Sequence, residues 1–550
     1  MRHPSSNAVY SYIEELSYNV VAKTGKPSDR YHVGKILLQS LKDAPSNKIL
    51  QIDGTTGEED TFKSALERST RCATAFRNLG LQYQDVILIM APNHINLVIP
   101  MYAALFLGIK VAGVDMTLGV NELQHTFKCC VPKIVFCQNS KIETVQEALN
   151  LQNISAHIIT FNENNDILSL SKFLDQYGGQ EAPENFLPAE FNPVETYAFL
   201  VTTSGSTGLP KTAALSHKNV IMSFPLLMTI RTEFPTPVKL GLVVSPIQWL
   251  SSTFSFIMGP ILRYTRLQTS SLPTPEHVHS LINKYRPDFA NMSPTFLISL
   301  LKTGEQEKCD FSCLQYMLVG GSVVTADLLE EMQKINPKLK IGVVYGLTET
   351  TGAVFDSAYS PIKSVGRPMP FLQYKLVDPT TNEEINEANV PGELLLKGPT
   401  IFKGYYNNPE MTAAAFNEDG WLKSGDILYR DEYYNYYFYD RIKMILKYKS
   451  HQVSPVEIES VIIKHPGVLD VAVTGIPDAE CGDLPVALVI LRDGHKVTAQ
   501  EIKALVKESL TDSKQLRGGV IFVEELPTTS TSKLDRIKLK ELAKILKREQ

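Results

Sequence analysis

The sequence predicts an α/β protein: a large N-terminal domain of layered α/β subdomains over residues 1–440, then a small α+β domain over residues 441–550. Three observations carry that expectation. Short β-rich runs alternate with helix-spaced runs, the pattern of largely parallel sheets covered by helices. At 550 residues the chain outgrows a single hydrophobic core, so about two to four domains are expected. From Arg441 the order of elements changes to a capped helix, two strand runs and a closing basic helix.

Taken in order, Asp85 to Met90 (DVILIM) reads as a buried strand, and Asn96 to Gly108 as the buried helix behind it. Lys133 to Cys137 is a second strand, followed by helical spacing over Lys141 to Leu149. Gly178 to Glu195, rich in Pro, Gly and acid, is an exposed connection before a strong strand at Tyr197 to Val201. Ser454-Pro455-Val456-Glu457 is a capping box that opens a helix expected to reach about His465. Strand runs follow at Leu469 to Val473 and Pro485 to Leu491, and a basic helix follows Ser532. In that helix Leu539, Leu542 and Leu546 lie opposite the charges of Lys538 to Arg548, the mark of a solvated face.

Composition narrows the class. The chain is 43% hydrophobic and 21% charged, with a net charge of −5 and a pI near 6.2. No basic stripe offers itself to nucleic acid. Seven cysteines without a C-x-x-C pair argue against a disulfide framework or zinc site and for a reducing compartment. Cys309 and Cys313 could share a helical face, though isolated thiols are the simpler reading. The polar start, Met1 to Tyr18, is no signal peptide. The longest apolar run, Leu97 to Ile109, is interrupted by Pro100 and is too short to span a bilayer. The final Lys547-Arg548-Glu549-Gln550 carries no peroxisomal signal, which leaves the cytoplasm as the expected location.

The most informative stretch is Thr202-Thr203-Ser204-Gly205-Ser206-Thr207-Gly208-Leu209-Pro210-Lys211. Its glycines let backbone N–H groups approach phosphate oxygens, its hydroxyls add donors, and Lys211 adds a compact positive charge. Residues 205–212 would fit a Walker A loop except that Pro210 stands at the second glycine, removing an N–H the cradle would use.

Ser204-Gly205-Ser206-Thr207-Gly208-Leu209-Pro210-Lys211 resembles the signature of the adenylate-forming superfamily: acyl-CoA synthetases, coumarate-CoA ligases, peptide-synthetase adenylation domains and beetle luciferases. Tyr345-Gly346-Leu347-Thr348-Glu349-Thr350-Thr351 resembles a second family motif. The resemblance implies Tyr345 against adenine, Thr348 at the α-phosphate and Glu349 on Mg²⁺. Gly320-Gly321-Ser322 resembles the turn beside adenine and the acyl group, although a Gly-Gly turn by itself is equally a structural feature. Asp426 in Trp421-Leu422-Lys423-Ser424-Gly425-Asp426 matches the ribose aspartate, Arg441 the ribose arginine and Lys443 the family hinge. Lys533 matches the terminal lysine that reaches the carboxylate and the α-phosphate, and Lys447 a second lysine used in luciferases. Gly392-Glu393-Leu394, Gly398-Pro399 and Gly404-Tyr405 resemble a scaffold motif. Leu516-Arg517-Gly518-Gly519-Val520 and Lys447-Tyr448-Lys449 look most like insect luciferase-like acyl-CoA synthetases.

Departures from the pattern bear on the substrate. Trp249 stands where relatives carry an acyl-pocket histidine, and either walls that pocket or belongs to the core. Ser223 stands at a luciferin-contacting arginine, and Val343-Val344 replace a common Gln-Gly. Thr212, Ser450 and Ser532 replace glycines. Ser223, Trp249, Gly320 and Leu347 are the expected acyl-pocket set. The resemblance implies ATP, Mg²⁺ and CoA as co-reactants. It implies a small-molecule acid, expected to be a medium- to long-chain fatty acid, as partner, and a monomer or weak homodimer. The 1–440 domain would then bind the nucleotide and 441–550 would act as a mobile lid. A luciferase-type mono-oxygenase and a non-catalytic nucleotide-binding relative stay open as alternatives.

Overall fold

The computed structural model describes residues 8–203, 211–227, 238–302, 306–357, 360–442, 444–448, 451–478, 480–529 and 533–549. The chain divides into two units: Met1–Ile362 with Gly366–Gln373 and Lys397–Leu422, and Lys363–Val365 with Tyr374–Leu396 and Lys423–Gln550.

The first unit is the layered α/β body that the alternation predicts. One of its sheets orders the strands Lys340–Val344, Tyr316–Gly320, Phe289–Met292, Leu240–Val243, Thr265–Gln268, Ile49–Asp53 and Glu59–Thr61. All its pairings are parallel except the last. A second sheet orders His157–Thr160, Ile134–Cys137, Val86–Met90, Lys110–Gly113, Tyr197–Thr203 and Lys211–Ser216, again parallel until the final antiparallel pair. Its central strand, Val86–Met90, is buried at every residue, which is why it reads as an unbroken apolar run rather than an alternating one. The helix Val98–Leu107 behind it is likewise buried throughout and ends on left-handed Gly108. Pro100 sits in its first turn, where no intrahelical donor is lost.

The connection Gly178 to Glu195 is irregular, as expected, but not simply exposed. Phe186 is 2% exposed and lies under the Arg77 guanidinium, and Glu190 pairs with the buried Lys35. A few apolar side chains in a polar segment are enough to pin it to the body.

The second unit holds an antiparallel sheet ordered Glu384–Ile385, Gln373–Val377, Gly392–Lys397, Leu422–Arg430 and Tyr436–Arg441. It also holds the C-terminal sheet, built on the long pair Val468–Asp478 and Gly482–Leu491. Strand alternation sorts that pair's side chains. Val471, Val473, Ala487 and Val489 face the helices Pro455–Ile462 and Ala499–Ser509, while Ala472, Val486 and Leu488 face Arg536–Ile545. Leu539 is fully buried on that last helix.

The predicted capping box is half formed. The Ser454 hydroxyl accepts from Glu457 N, but Glu457 turns away to Lys514 (2.6 Å) and the Tyr439 hydroxyl (3.3 Å). The helix stops at Ile462 rather than His465, because Pro466-Gly467 close behind cannot extend it. Cys313 lies in the short 3₁₀ turn Phe311–Cys313 and Cys309 before it, so they share no helical face; all seven cysteines are free thiols. No helix among the described residues is long and apolar enough to cross a membrane.

Candidate active site

In open parallel sheets, ligands gather beyond the carboxyl ends of the strands. The predicted motifs of the first unit sit there. Thr203 ends the strand Tyr197–Thr203, Gly320 ends Tyr316–Gly320, and Tyr345 follows Lys340–Val344. Thr203 and Lys211 are cross-strand partners, so the intervening loop starts and ends at one place. Its residues Ser204, Gly205, Ser206, Thr207 and Gly208 lie outside the described residues.

Gly320 pairs in register with Val344. A Cβ there would fall 2.4 Å from the Val344 carbonyl oxygen, so only glycine lets these strand ends meet. Gly321 and Ser322 follow as an exposed turn. Val343 and Val344 are half-buried, and the Val343 carbonyl accepts from the Ser357 hydroxyl at 2.7 Å.

The Tyr345-to-Thr351 segment folds back on itself. Gly346 and Leu347 pair with Ala353 and Gly352, and a Cβ on Gly346 would lie 2.1 Å from the Gly352 carbonyl oxygen. Thr350 is buried, donating to the Gly352 carbonyl at 2.7 Å and accepting from Leu347 N at 3.0 Å. Thr351 is fully buried at φ 54°, an unfavourable region for a β-branched residue. The tight turn presents Thr348 and Glu349, both half-buried, while the Tyr345 ring lies 5.5 Å from that of Phe355.

Glu349 is held by a residue the sequence reading left in the scaffold. The segment from Gly404 to Tyr406 adds to the edge of Lys211–Ser216: Ala214 N donates to the Gly404 carbonyl (3.1 Å) and Tyr406 N to the Thr212 carbonyl (2.7 Å). This fixes Tyr405, whose hydroxyl donates to Glu349 Oε1 at 2.6 Å and whose ring centroid lies 5.1 Å from Lys211 Nζ. Phe402 N donates to the Glu349 carbonyl at 2.8 Å, so main chain and side chain are both gripped. Burial first, then the Glu349 charge and hydrogen bond, push the Tyr405 phenol well above its ordinary range, keeping it a donor. Lysine, phenol and carboxylate thus form one cluster. Among the described residues no group of three or more His, Cys, Asp or Glu gathers as a metal site. A carboxylate with one oxygen engaged by Tyr405 retains lone pairs for a hard divalent cation such as Mg²⁺, which needs only one or two protein carboxylates beside phosphate oxygens.

The acyl-pocket candidates are mixed. Trp249 precedes the helix Leu250–Leu262 and is half-buried; its indole Nε1 is buried with no hydrogen-bond partner among the described residues. Ser223 is 1% exposed and its hydroxyl donates to the Val220 carbonyl within its own helix. Phe224 and Phe254, with ring centroids 5.8 Å apart, join the helix carrying Ser223 to the helix that follows Trp249. Leu347 is half-buried in the turn before Thr348.

In the second unit Asp426 and Arg441 are cross-strand partners, with Arg441 Nε 3.0 Å from Asp426 Oδ1. Asp426 is 1% exposed and its N–H donates to the Ser424 hydroxyl. Glu393 accepts from Gly425 N at 3.2 Å and so braces the turn before Asp426; burial raises its carboxyl. Next to Arg441, the buried Asp440 accepts from the Ser454 hydroxyl (2.5 Å) and Arg441 N (2.7 Å). Lys533 is exposed; its carbonyl accepts from Thr529 N (2.7 Å), beside the Thr528–Leu534 bridge. Lys443, Ser450, Ser532 and the side chain of Lys447 lie outside the described residues.

Comparison with known proteins converges on one family. Residues 39–406 match the AMP-binding enzyme model, and residues 457–533 match the AMP-binding enzyme C-terminal domain. The chain is 33% identical to a luciferin 4-monooxygenase of Photuris pensylvanica over 507 residues, covering 88% of this chain and 90% of the relative. It is 27% identical to 4-coumarate-CoA ligase 1 of Narcissus pseudonarcissus over 509 residues, covering 90% and 91%. The crystal structure of ATP-bound MatB from Rhodopseudomonas palustris matches with a TM-score of 0.82 at 23% identity, covering 92% of this chain and 99% of that one, a likeness of fold. The chain belongs to the AMP-binding, adenylate-forming enzyme family.

Proposed function

We propose that this enzyme activates a carboxylic acid with Mg-ATP, forming an acyl-adenylate and pyrophosphate, and then transfers the acyl group to the thiol of CoA. The Lys211–Tyr405–Glu349 cluster at the strand ends carries this reading, since it unites a phosphate-seeking cation and a metal-seeking carboxylate. Lys211, Thr203 and the loop 204–208 hold the phosphates, Tyr345, Gly346, Gly321 and Ser322 the adenine side, and Asp426 and Arg441 the ribose. Thr348 positions the α-phosphate, and Tyr405 orients Glu349. Mg²⁺ held by Glu349 would neutralise phosphate charge during attack. The substrate carboxylate attacks the α-phosphorus and pyrophosphate leaves; Lys533 stabilises the charge that develops. Residues 441–550 act as the lid with Lys443 as hinge, and Lys447 is a second catalytic lysine. The acid is a medium- to long-chain fatty acid, bounded by Trp249, Gly320 and Leu347 with Ser223 behind.

Pyrophosphate release from Mg-ATP across a panel of carboxylic acids, with and without CoA, tests the proposal. Release that depends on the acid, with acyl-CoA formed on adding CoA, is expected. Acid-dependent release with no thioester product would redirect the second step to another acceptor such as oxygen, and absence of release with any acid would overturn the assignment.

A further inference from the structure

Lys533 stands three residues before Arg536, the first residue of the closing helix Arg536–Ile545. Asp535 caps that helix by accepting from Ile537 N and Lys538 N, and its own N–H donates to the Pro527 carbonyl at 2.8 Å. The Arg536 side chain then ties the helix start to the C-terminal sheet. Its Nη1 donates to Glu459 Oε1 (2.7 Å) and to the Val473 carbonyl (2.7 Å), and its Nη2 to Glu459 Oε2 (3.2 Å). Glu459 Oε1 also accepts from Val473 N at 2.7 Å. One guanidinium thus joins the closing helix, the helix Pro455–Ile462 and the strand Val468–Asp478. We infer that Arg536 is a positioning residue for Lys533: its two-pronged bond to Glu459 fixes the start of the closing helix, so that the Lys533 ammonium is presented in one place for adenylation. The inference rests on the role proposed above for Lys533.

Apolar packing holds the helix on the sheet but does not aim it. Leu534, Leu539 and Ala543 pack on the cluster of Ala472, Val486 and Leu488. Such contact is non-directional, so it tolerates small slides and turns of the helix start. A planar guanidinium on a carboxylate sets distance and orientation together, because both donors must meet both oxygens. Both partners are half-buried. An ion pair in such a place often adds little net stability over apolar side chains of the same shape, so its distinctive contribution is geometry.

The surroundings of the pair are acidic. Asp440 is buried on the strand that carries Arg441; burial raises its carboxyl, and the Arg536 charge is among the influences that lower it again. Asp470 is raised to about 6, chiefly by burial, with the Glu459 charge adding to it. Deleting the Arg536 charge would therefore disturb several carboxylates at once. Arg536→Lys keeps the charge and removes only the fork, which makes it the variant that isolates positioning.

The test measures two rates for the full chain: pyrophosphate release from Mg-ATP with the acid that gives the fastest release in the panel above, and acyl-CoA formation from the synthetic adenylate of that acid and CoA. Arg536→Lys is expected to lower the maximal rate of pyrophosphate release about tenfold while the KM for ATP stays within about twofold. Acyl-CoA formation from the adenylate should stay near the unmodified rate, whereas a merely structural role would slow both halves alike. In a Lys533→Ala background the same substitution should cost no more than about twofold, because no ammonium is left to misplace. Glu459→Gln, which keeps an acceptor for Val473 N, should give the same split between the halves and serves if the lysine variant does not fold. Equal damage to both halves, unchanged pyrophosphate release, or a full tenfold cost in the Lys533→Ala background would overturn the inference. Undiminished release from Lys533→Ala alone would instead bring down the role of Lys533, and the inference with it.

Discussion

At Tyr405 a single hydroxyl decides how Glu349 points. Its hydrogen bond to a half-buried carboxylate is charge-assisted and about 1.5–3 kcal/mol in scale. Tyr405→Phe keeps the ring over Lys211 and removes only that bond. Pyrophosphate release is expected to fall about 10- to 100-fold with a raised Mg²⁺ requirement, while affinity for metal-free ATP stays near normal. A titration of rate against Mg²⁺ reads this directly, and an unshifted Mg²⁺ dependence would show that Tyr405 does not orient the carboxylate. No local sequence signal could have found this residue. Tyr405 lies 56 positions from Glu349 and meets it only because its segment zips onto the edge strand Lys211–Ser216. The motifs that lie at the strand ends, by contrast, stand out in the sequence because each is a short contiguous run of distinctive residue types.

Two elements illustrate how packing turns sequence into site. The strands Tyr316–Gly320 and Lys340–Val344 converge so closely at their ends that Gly320→Ala must push Val344 away. About 1–3 kcal/mol of stability is expected to be lost, visible as a lower urea midpoint together with weaker nucleotide binding; an unchanged midpoint would mean the strand ends yield freely. The helix Val33–Asp43 depends instead on a neutral histidine. His32 caps it by accepting from Lys35 N through Nδ1, while Nε2 faces the Ala189 carbonyl at 3.3 Å. Burial is the main force lowering His32 and His94 to about 4, and it holds His217 well below its ordinary value. The unfolded chain therefore takes up protons near pH 6.5 that the folded one refuses. Stability falls as pH drops below about 6.5 and the loss levels off near 4 for His32 and His94, with a slope of about 1.4 kcal/mol per pH unit for each histidine. Urea midpoints between pH 7.5 and 5 should show this, and His32→Asn, which keeps a capping acceptor, should reduce the slope by one histidine's share. An identical slope would mean His32 protonates without cost. Strand and helix positions were legible because they need only local periodicity. The half-formed cap at Ser454 and the pinned Gly178-to-Glu195 segment were not, since Lys514, Lys35 and Arg77 lie far away in sequence.

For the molecule as a whole, the proposed reaction has two halves that place different demands on the chain. Adenylation concentrates negative charge on the α-phosphate as the carboxylate attacks, so it needs a cation in the transition state. Thioester formation from a finished adenylate expels AMP and has no such requirement for Lys533. Lys533 stands exposed, its carbonyl accepting from Thr529 N beside the Thr528–Leu534 bridge, so Lys533→Ala removes a charge without undermining a core. The loss of pyrophosphate release is expected to be about 10²- to 10³-fold, the scale of deleting one preorganised donor to a developing charge. Binding of ATP, read by isothermal calorimetry, should stay within about twofold, because an interaction made only in the transition state leaves ground-state affinity alone. Supplied with synthetic acyl-adenylate and CoA, the same variant should form acyl-CoA at close to the unmodified rate. Equal damage to both halves would mean that Lys533 holds the nucleotide rather than the transition state. Undiminished pyrophosphate release would move the charge-stabilising role to another cation, for which Lys211, already beside Glu349 through Tyr405, is the candidate the geometry offers.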